Sequence, residues 1–506
     1  MISVDWTQME AVAKQLVAGW QGDGPGGAIV GFDQSGIRFA AAAGLADLSQ
    51  GSAYTADTVV RLASITKHIF GTMVLMHPQT ITPDEKIGEI TAGLPPEFAA
   101  LSVAQALNMT GGLPDTREAL VLHGLSANAL IDEASTIAYS AALAQLNYTA
   151  GHELSYTNLG YRFLEWGLRR RGLSFTRFVE DHLRGEKGHV LHAPVYWGDA
   201  VDGLVPGYWF DKEMGWQPGF QGMPLAAAGN VCGSAIGLAN WLRDLTAGKG
   251  DLAGIWQKLQ ISGVLAGGRE TGYGLGLATG TVGGRKVHGH GGSQAGYKAH
   301  FLIDDETGIG VVITSNREDT LAATLARRCF EAAFHLSPPQ ALPEDWAPDG
   351  FYYQPDTGRW AELRGSSIFQ LSAGEQLVAG PDGSAVSTSV TSPFALRYQD
   401  GALVGEIGHA PVRLEPASGQ ADAGKLTGQW EAPEFGASFE IKDGILIQGV
   451  GPARLAAKLQ PIADHLWLYD TGSKLWPARV ALRLLPDGRL QLSTARARNV
   501  FYQRRA

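Results

Sequence analysis

A strand-like run that turns directly into an apolar helix, with a serine at the junction, constrains this chain more than any other feature. Ala56 to Ala63 is extended and β-branched, whereas Ile65 to Met76 is densely apolar with helical spacing, so Ser64 falls where loop becomes helix. Lys67 follows three residues later, and positions i and i+3 share a helix face. The serine hydroxyl and the lysine amine can therefore point together into one cleft, with the positive end of the helix stabilising charge that develops on the serine oxygen. Most Ser-x-x-Lys matches are a helix-capping serine beside a solvated lysine, so the rest of the chain has to supply the other parts of a site.

The 506 residues are too many for one hydrophobic core, and the pattern divides in three. Residues 1–335 open with a helix and a hairpin, Ala28–Phe32 with Ile37–Ala43 turning through Asp33 to Gly36. A mainly helical stretch follows from about Pro83, with Ala99–Asn108 and Gly160–Arg171 its clearest helices. Strand character returns in Gly284–His290, Lys298–Ile303 and Gly308–Thr314, and a helix over Leu321–His335 closes the unit. Strands at both ends of a helical middle predict an α+β domain with an all-helical lobe beside an antiparallel sheet. Ser337 to Pro348 reads as a proline-rich linker.

Beyond it the sequence alternates and is rich in turns. Gly350-Phe-Tyr-Tyr-Gln-Pro-Asp-Thr-Gly358 matches Gly428-Gln-Trp-Glu-Ala-Pro-Glu-Phe-Gly436, and the register continues through Glu362/Glu440 and Gln370/Gln448. Two copies of a small antiparallel β-barrel, residues 336–417 and 418–506, are expected, joined by a flexible connector over Pro416–Lys425.

Charge and cysteine content exclude several classes of function. Lys plus Arg number 40 against 50 Asp plus Glu, a net charge of −10, which opposes a nucleic-acid partner. Arg169-Arg-Arg171 before Gly172 reads as capping of a helix C-terminus. Cys232 and Cys329, both in apolar settings with helical pattern, read as buried free thiols. No stretch is long enough to span a membrane and the first residues carry early acids, so a cytoplasmic protein is expected.

Two further elements complete an acyl-transfer constellation. Leu154-Ser-Tyr-Thr-Asn-Leu-Gly160 sets Tyr156 and Asn158 on a loop before a helix, where the phenol can shuttle a proton and the amide can orient the lysine or the substrate. Gly289-His-Gly-Gly-Ser-Gln-Ala-Gly-Tyr297 is a strand edge nearly bare of side chains. Its glycines leave room for a substrate backbone, and His290 projects as a donor or proton relay. The backbone N–H groups of Ser64 and Ser293 are the candidate oxyanion donors. His288 with His290 forms a His-x-His pair, but no second ligand cluster accompanies it, so neither a metal nor any other cofactor is expected and His288 reads as structural.

In order and spacing, Ser64/Lys67, Tyr156/Asn158 and His290/Gly292 resemble the Ser-x-x-Lys, Tyr-x-Asn and Lys/His-x-Gly elements of the serine β-lactamase and penicillin-binding protein superfamily. Asn108-Met-Thr-Gly-Gly-Leu-Pro-Asp115 is similar to that family's His-Thr-Ser-Gly-Leu stretch with asparagine replacing histidine. Histidine at 290 in place of lysine resembles the DD-peptidase, esterase and D-aminopeptidase branches, since neutral imidazole is a weaker carboxylate anchor. The three-part layout is most similar to D-stereospecific aminopeptidases.

The resemblance implies a serine hydrolase that releases an N-terminal D-residue from peptides, amides or esters through an acyl-enzyme. Ser64 would be the nucleophile, Lys67 or Tyr156 the base, and His290 with Tyr156 the donors to the leaving amine. It also implies a loop of the last barrel carrying an acid for the substrate ammonium, for which Asp470 stands at the corresponding place. The partner is then a small peptide or an amino acid amide or ester, with no nucleic acid and no membrane, and a homodimer is admitted. A cytoplasmic esterase or amidase or a DD-peptidase of the same superfamily, and a binding protein on the same scaffold, are the alternatives.

Overall fold

The computed structural model describes residues 4–126, 128–184, 189–370 and 374–505. Its first unit is built on a six-stranded antiparallel sheet. The hairpin β1 (Gly27–Asp33) and β2 (Gly36–Ala43) is joined by four late strands, β3 (Ala278–Val282), β4 (Arg285–Gln294), β5 (Tyr297–Asp304) and β6 (Gly310–Ser315), in the order β2-β1-β6-β5-β4-β3. Alternation along the strands divides the sheet into two apolar faces. Ile29, Phe39, Val311 and Ile313 pack under the terminal helices α1 (Trp6–Ala18) and α6 (Ala322–Ala333). Val30, Phe32, Phe301 and Val312 face the central helices α2 (Thr66–Met76) and α5 (Ala235–Thr246).

Helix α2 is buried from Thr66 through Val74, which is why its sequence is apolar all round rather than along one stripe. The helical lobe beside it includes α3 (Thr116–Leu122) and α4 (Leu159–Leu168). The helix expected over Ala99–Asn108 is two short pieces, Pro96–Ala99 and Val103–Leu107. Ser102 begins the second as half of a capping box with Gln105, each side chain 3.0 Å from the other's backbone N–H. Gly172, at φ 79°, ends the segment after α4 as expected, but the three arginines do more than cap it. Arg169 forks onto Glu133 at 2.6 and 2.8 Å, and Arg171 reaches Glu85 at 2.6 Å and the carbonyl oxygens of Thr80 and Glu89. Both cysteines are free and buried, Cys329 in α6 and Cys232 in a two-residue strand rather than a helix.

Beyond residue 335 two antiparallel units follow. Eight strands from Gly350–Tyr353 to Ala410–Pro416 form a closed barrel, sealed by pairing of Tyr352 with Pro416 and Tyr353 with Glu415. The second unit is a nine-stranded sheet from Gly428–Ala432 to Val500–Arg504. Its first and last strands also pair, Trp430 against Arg504, so the two sequence repeats occupy the same place in their units. Its edge strands, Leu455–Lys458 and Gln460–Ala463, flank Leu459, so the sheet curls close to closure without a sealing ladder.

Neither connecting segment is a free tether. Leu342 and Trp346 pack on the barrel core, and Ala417 and Gly419 donate to Phe351 and Ile462. No described helix is long and apolar enough to cross a membrane.

Glu153 fastens the three units together. Its carboxylate accepts from Arg359 of the closed barrel at 2.8 Å and from both terminal nitrogens of Arg498 of the last sheet at 2.9 and 2.6 Å. With the Glu153 side chain only 6 % exposed, removing it strands two guanidinium groups away from bulk water. Glu153→Gln should therefore destabilise the chain by about 3–5 kcal/mol in urea titration, the penalty typical of a broken buried pair.

Candidate active site

Ser64 lies in a 3₁₀ turn, Ala63–Ile65, immediately before α2. Ala63 has φ 51°, a left-handed conformation that a residue with a Cβ adopts at a cost. Two bonds through one side chain hold the turn there: Thr66 Oγ1 donates to Ala63 O at 2.6 Å and accepts from Val231 N at 2.9 Å. The pairing of Ser64 and Lys67 foreseen from their spacing is present, with Lys67 Nζ 3.0 Å from Ser64 Oγ.

The same nitrogen lies 2.9 Å from Asn158 Oδ1 and 2.6 Å from Ala228 O. Both of these oxygens can only accept, so a neutral amine spends its two hydrogens on them and turns its lone pair to the Ser64 hydroxyl. Lys67 is wholly buried, and burial drives its pKa well below that of a free lysine. Asp115 opposes the shift, while Arg496 and Arg117 reinforce it.

Asn158 stands at the N-cap position of α4 but does not use its side chain to cap the helix. Its Nδ2 donates to Asp115 Oδ2 at 3.0 Å, which fixes the amide with Oδ1 towards Lys67. Asp115 is a site residue that motif reading missed. It is 2 % exposed and caps α3 through the N–H groups of Arg117 and Glu118. Burial alone would raise its pKa, but Arg117 and Arg496 hold it below the usual carboxylate range. The only sequence clue is an acid at the end of Asn108–Asp115, one residue ahead of a helix.

That stretch also shapes the Tyr156 loop. Met109, at φ 66°, accepts from Ser155 N at 3.1 Å through its carbonyl and from Thr157 N at 3.4 Å through its sulfur, and Asn108 Oδ1 accepts from Thr110 Oγ1 at 2.7 Å. The Tyr156 ring centre lies 4.8 Å from Lys67 Nζ and 5.3 Å from the Arg496 guanidinium, and among the described residues its hydroxyl makes no hydrogen bond of regular geometry. Burial pushes the phenol pKa up, with Ser64 acting against it, so Tyr156 keeps its proton. A cleft of about 110 Å³, walled by Tyr156, Glu375 and Arg496, opens where the three units meet.

Strand β4 completes the site with two departures from expectation. Its outer edge is covered by β3 only from Arg285 to Gly289, which leaves Gly292 to face the nucleophile turn. A methyl group at 292 would sit 2.1 Å from Leu62 O, and one at 289 would sit 2.1 Å from Phe301 O. Both glycines are therefore needed to admit neighbouring backbone on the face of the strand, a role beyond the one expected of them.

His290 is buried with both ring nitrogens engaged: Nδ1 is 2.6 Å from Gly291 O, a pure acceptor, and Nε2 accepts from the Tyr273 hydroxyl at 2.8 Å. Burial presses its pKa well below normal, so the ring is neutral and has no proton left for a leaving group. Tyr273 was not anticipated. The alternation Gly272-Tyr-Gly-Leu-Gly276 marks its loop, and Gly276 lies against the Lys67 backbone so closely that a Cβ would come within 2.4 Å.

Ser293 follows Gly292 on the same edge and accepts from Lys298 Nζ at 2.6 Å. Asp470 is not brought to the site. Its side chain is 77 % exposed at the end of the strand Leu466–Asp470 and pairs with Arg479, which also binds Glu362 of the closed barrel. The loop that follows does reach the first unit, but through Lys474 on Asp211 at 2.8 Å and Trp476 on Arg117. His288 is held by Thr279 at 2.9 Å and Asp305 at 2.8 Å, and the described residues contain no cluster suited to a metal ion.

Two outcomes follow for the site. Gly292→Ala should push the nucleophile turn away from β4 and lower kcat by about 100-fold, the scale of a 1 Å misplacement of reacting groups, in steady-state assays of folded protein. Arg496→Gln removes a positive charge that depresses the Lys67 pKa. Because a base works deprotonated, the acidic limb of the kcat/KM profile should move to higher pH, and an unmoved limb would show that this limb is not Lys67.

A family model described as Beta-lactamase matches residues 9–334. The D-aminopeptidase of Cereibacter sphaeroides strain ATCC 17023 is 24% identical over 475 residues, covering 88% of each chain. That of Gluconobacter oxydans strain 621H is 23% identical over 492 residues, covering 91% of this chain and 90% of its own. The octameric penicillin-binding protein homologue from Pyrococcus abyssi aligns with a TM-score of 0.56 at 15% identity, over 99% of this chain and 100% of that one. The D-amino acid amidase from Ochrobactrum anthropi SV3 complexed with L-phenylalanine amide aligns at 0.53 with 18% identity, over 64% of this chain and 97% of its own. The two structural likenesses bear on the fold, while the family model spans the sheet, the helical lobe and all three motifs. On that match, the chain belongs to the beta-lactamase family.

Proposed function

We propose that this protein is a serine hydrolase that releases N-terminal D-amino acids from amides, esters or short peptides. The observation that carries the reading is the buried Lys67 amine, whose two carbonyl acceptors leave its lone pair for the Ser64 hydroxyl. Ser64 Oγ attacks the substrate carbonyl and passes its proton to Lys67 Nζ. The oxyanion forms against the backbone N–H groups of Ser64 and Ser293.

Collapse of the tetrahedral intermediate breaks the C–N or C–O bond. Tyr156, which remains a phenol, gives its proton to the departing atom and is resupplied from Lys67. Water then repeats the sequence on the acyl-enzyme. Asn158 keeps Lys67 aimed, and His290 with Tyr273 forms a rigid wall behind the Tyr156 ring, 6.0 Å between ring centres for His290 and 6.3 Å for Tyr273. Lys67 is assigned as the base because burial favours its neutral form while disfavouring a phenolate at Tyr156.

The stereochemistry rests on the likeness to D-aminopeptidases over nearly the whole length, barrel units included. A homodimer and a cytoplasmic location belong to the same reading, and light scattering and cell fractionation test them.

A panel of D- and L-alanine amide, D- and L-alanine p-nitroanilide and a short-chain ester separates an aminopeptidase from an esterase. The D-amide should be hydrolysed and its L-enantiomer left, whereas ester-only turnover would sink the proposal. Ser64→Ala should cost at least about 1,000-fold in kcat with an unchanged melting temperature.

A further inference from the structure

The loop after Leu466–Asp470 was expected to carry an acid towards the substrate; instead it carries an indole. Trp476 lies 4.7 Å from the Arg117 guanidinium carbon. The loop is fixed at Lys474 by Asp211, at 2.8 Å, and Trp476 N donates to Ser473 Oγ at 3.1 Å.

Arg117 is otherwise unspent. Its backbone N–H donates to Asp115 Oδ1 at 3.1 Å, and among the described residues its side chain has no carboxylate, carbonyl or hydroxyl partner. Other half-buried arginines of this chain behave differently: Arg169, Arg285 and Arg498 each fork onto a carboxylate. An arginine held flat on an aromatic ring has its rotamer freedom already reduced, and its edge keeps a planar fork of donors matched to a carboxylate.

The start of its helix is tied to the reactive groups. Asp115, two residues away, is the partner of Asn158, which in turn holds Lys67. The Arg117 charge acts on Lys67, Asp115 and Glu318. Glu318 accepts from Gly296 N at 2.8 Å and pairs with Lys298, whose ammonium reaches Ser293. Arg496 stands on the same side as Arg117, with its Nε 3.9 Å from Glu118.

We propose that Arg117, braced on Trp476, is the subsite for a carboxylate of the substrate. The preferred substrates are then acidic: a D-aspartyl or D-glutamyl residue whose side chain reaches the fork, or a short peptide whose C-terminal carboxylate does. This rests on the aminopeptidase reading and narrows it.

Two substrate pairs distinguish the sources. D-glutamic acid α-amide against D-glutamine amide tests a side-chain carboxylate, and D-Ala-Gly against D-Ala-Gly-amide tests a terminal one. In wild-type protein the carboxylate member of one pair should have at least about tenfold higher kcat/KM, the scale of one charge-assisted bidentate contact. Arg117→Gln should abolish the KM difference within each pair, any change in kcat from the charge lost near Lys67 falling on both members alike, Arg117→Lys should restore part of the preference, and Trp476→Leu should weaken it without removing a charge.

Calorimetric titration of Ser64→Ala protein with D-glutamate and D-glutamine reads the subsite independently of turnover. Hydrolysis with no preference in either pair, or equal loss for both members in Arg117→Gln, overturns the carboxylate subsite. Selective, Arg117-dependent binding of D-glutamate without hydrolysis of any D-substrate leaves the subsite standing and overturns the aminopeptidase reading instead.

Discussion

A single amine taken out of water governs this molecule. Lys67 sits on a helix buried on all sides, and the two carbonyl groups at its tip, one from Asn158 and one from Ala228, come from separate parts of the chain. A charged ammonium there would be solvated only by those dipoles and the serine, so the environment favours the neutral base that an acyl transfer needs. Asp115 pulls the other way but is itself tied to Asn158 and flanked by Arg117 and Arg496, which offset its charge. The site therefore holds a small, nearly balanced set of charges, and the proton on Lys67 answers to each of them.

Two of those controls depend on the C-terminal unit. Arg496 lies on the face of the Tyr156 ring, its carbonyl accepts from Asp115 N at 2.8 Å, and Trp476 backs Arg117. Glu153 links the same unit to the first domain and to the closed barrel from a position three residues before Tyr156. The C-terminal unit is thus part of the electrostatic environment of Lys67 and Tyr156 and not an appended module. Strain at Ala63 and Met109 has a related logic, since Ala63 is held by Thr66 of its own turn and Met109 by the Tyr156 loop, and each adjoins a side chain of the site.

Much of the outline was legible in the chain because it follows from local rules. The i, i+3 spacing brought Ser64 and Lys67 together, period-two alternation marked β4 to β6, and the glycine-aromatic-proline repeat placed the opening strand of both β-units. Errors arose where a side chain had to be given a direction. His290 looked like a free donor but is bound on both nitrogens. Asp470 was placed by distance from the C-terminus, yet the β-strand before it ends by pointing that carboxylate to solvent and Arg479.

By itself, the order of residues determined most secondary-structure types, the presence of two β-units after an α+β domain and the pairing of Ser64 with Lys67, because caps, periodicity and repeats act over a few neighbouring positions. Only the tertiary structure decided the rest. Which group holds a proton depends on burial and on charges far away in sequence, so the neutrality of Lys67, the place of Asp115 and Tyr273, and the reach of Arg496 and Trp476 exist only once distant segments are packed together.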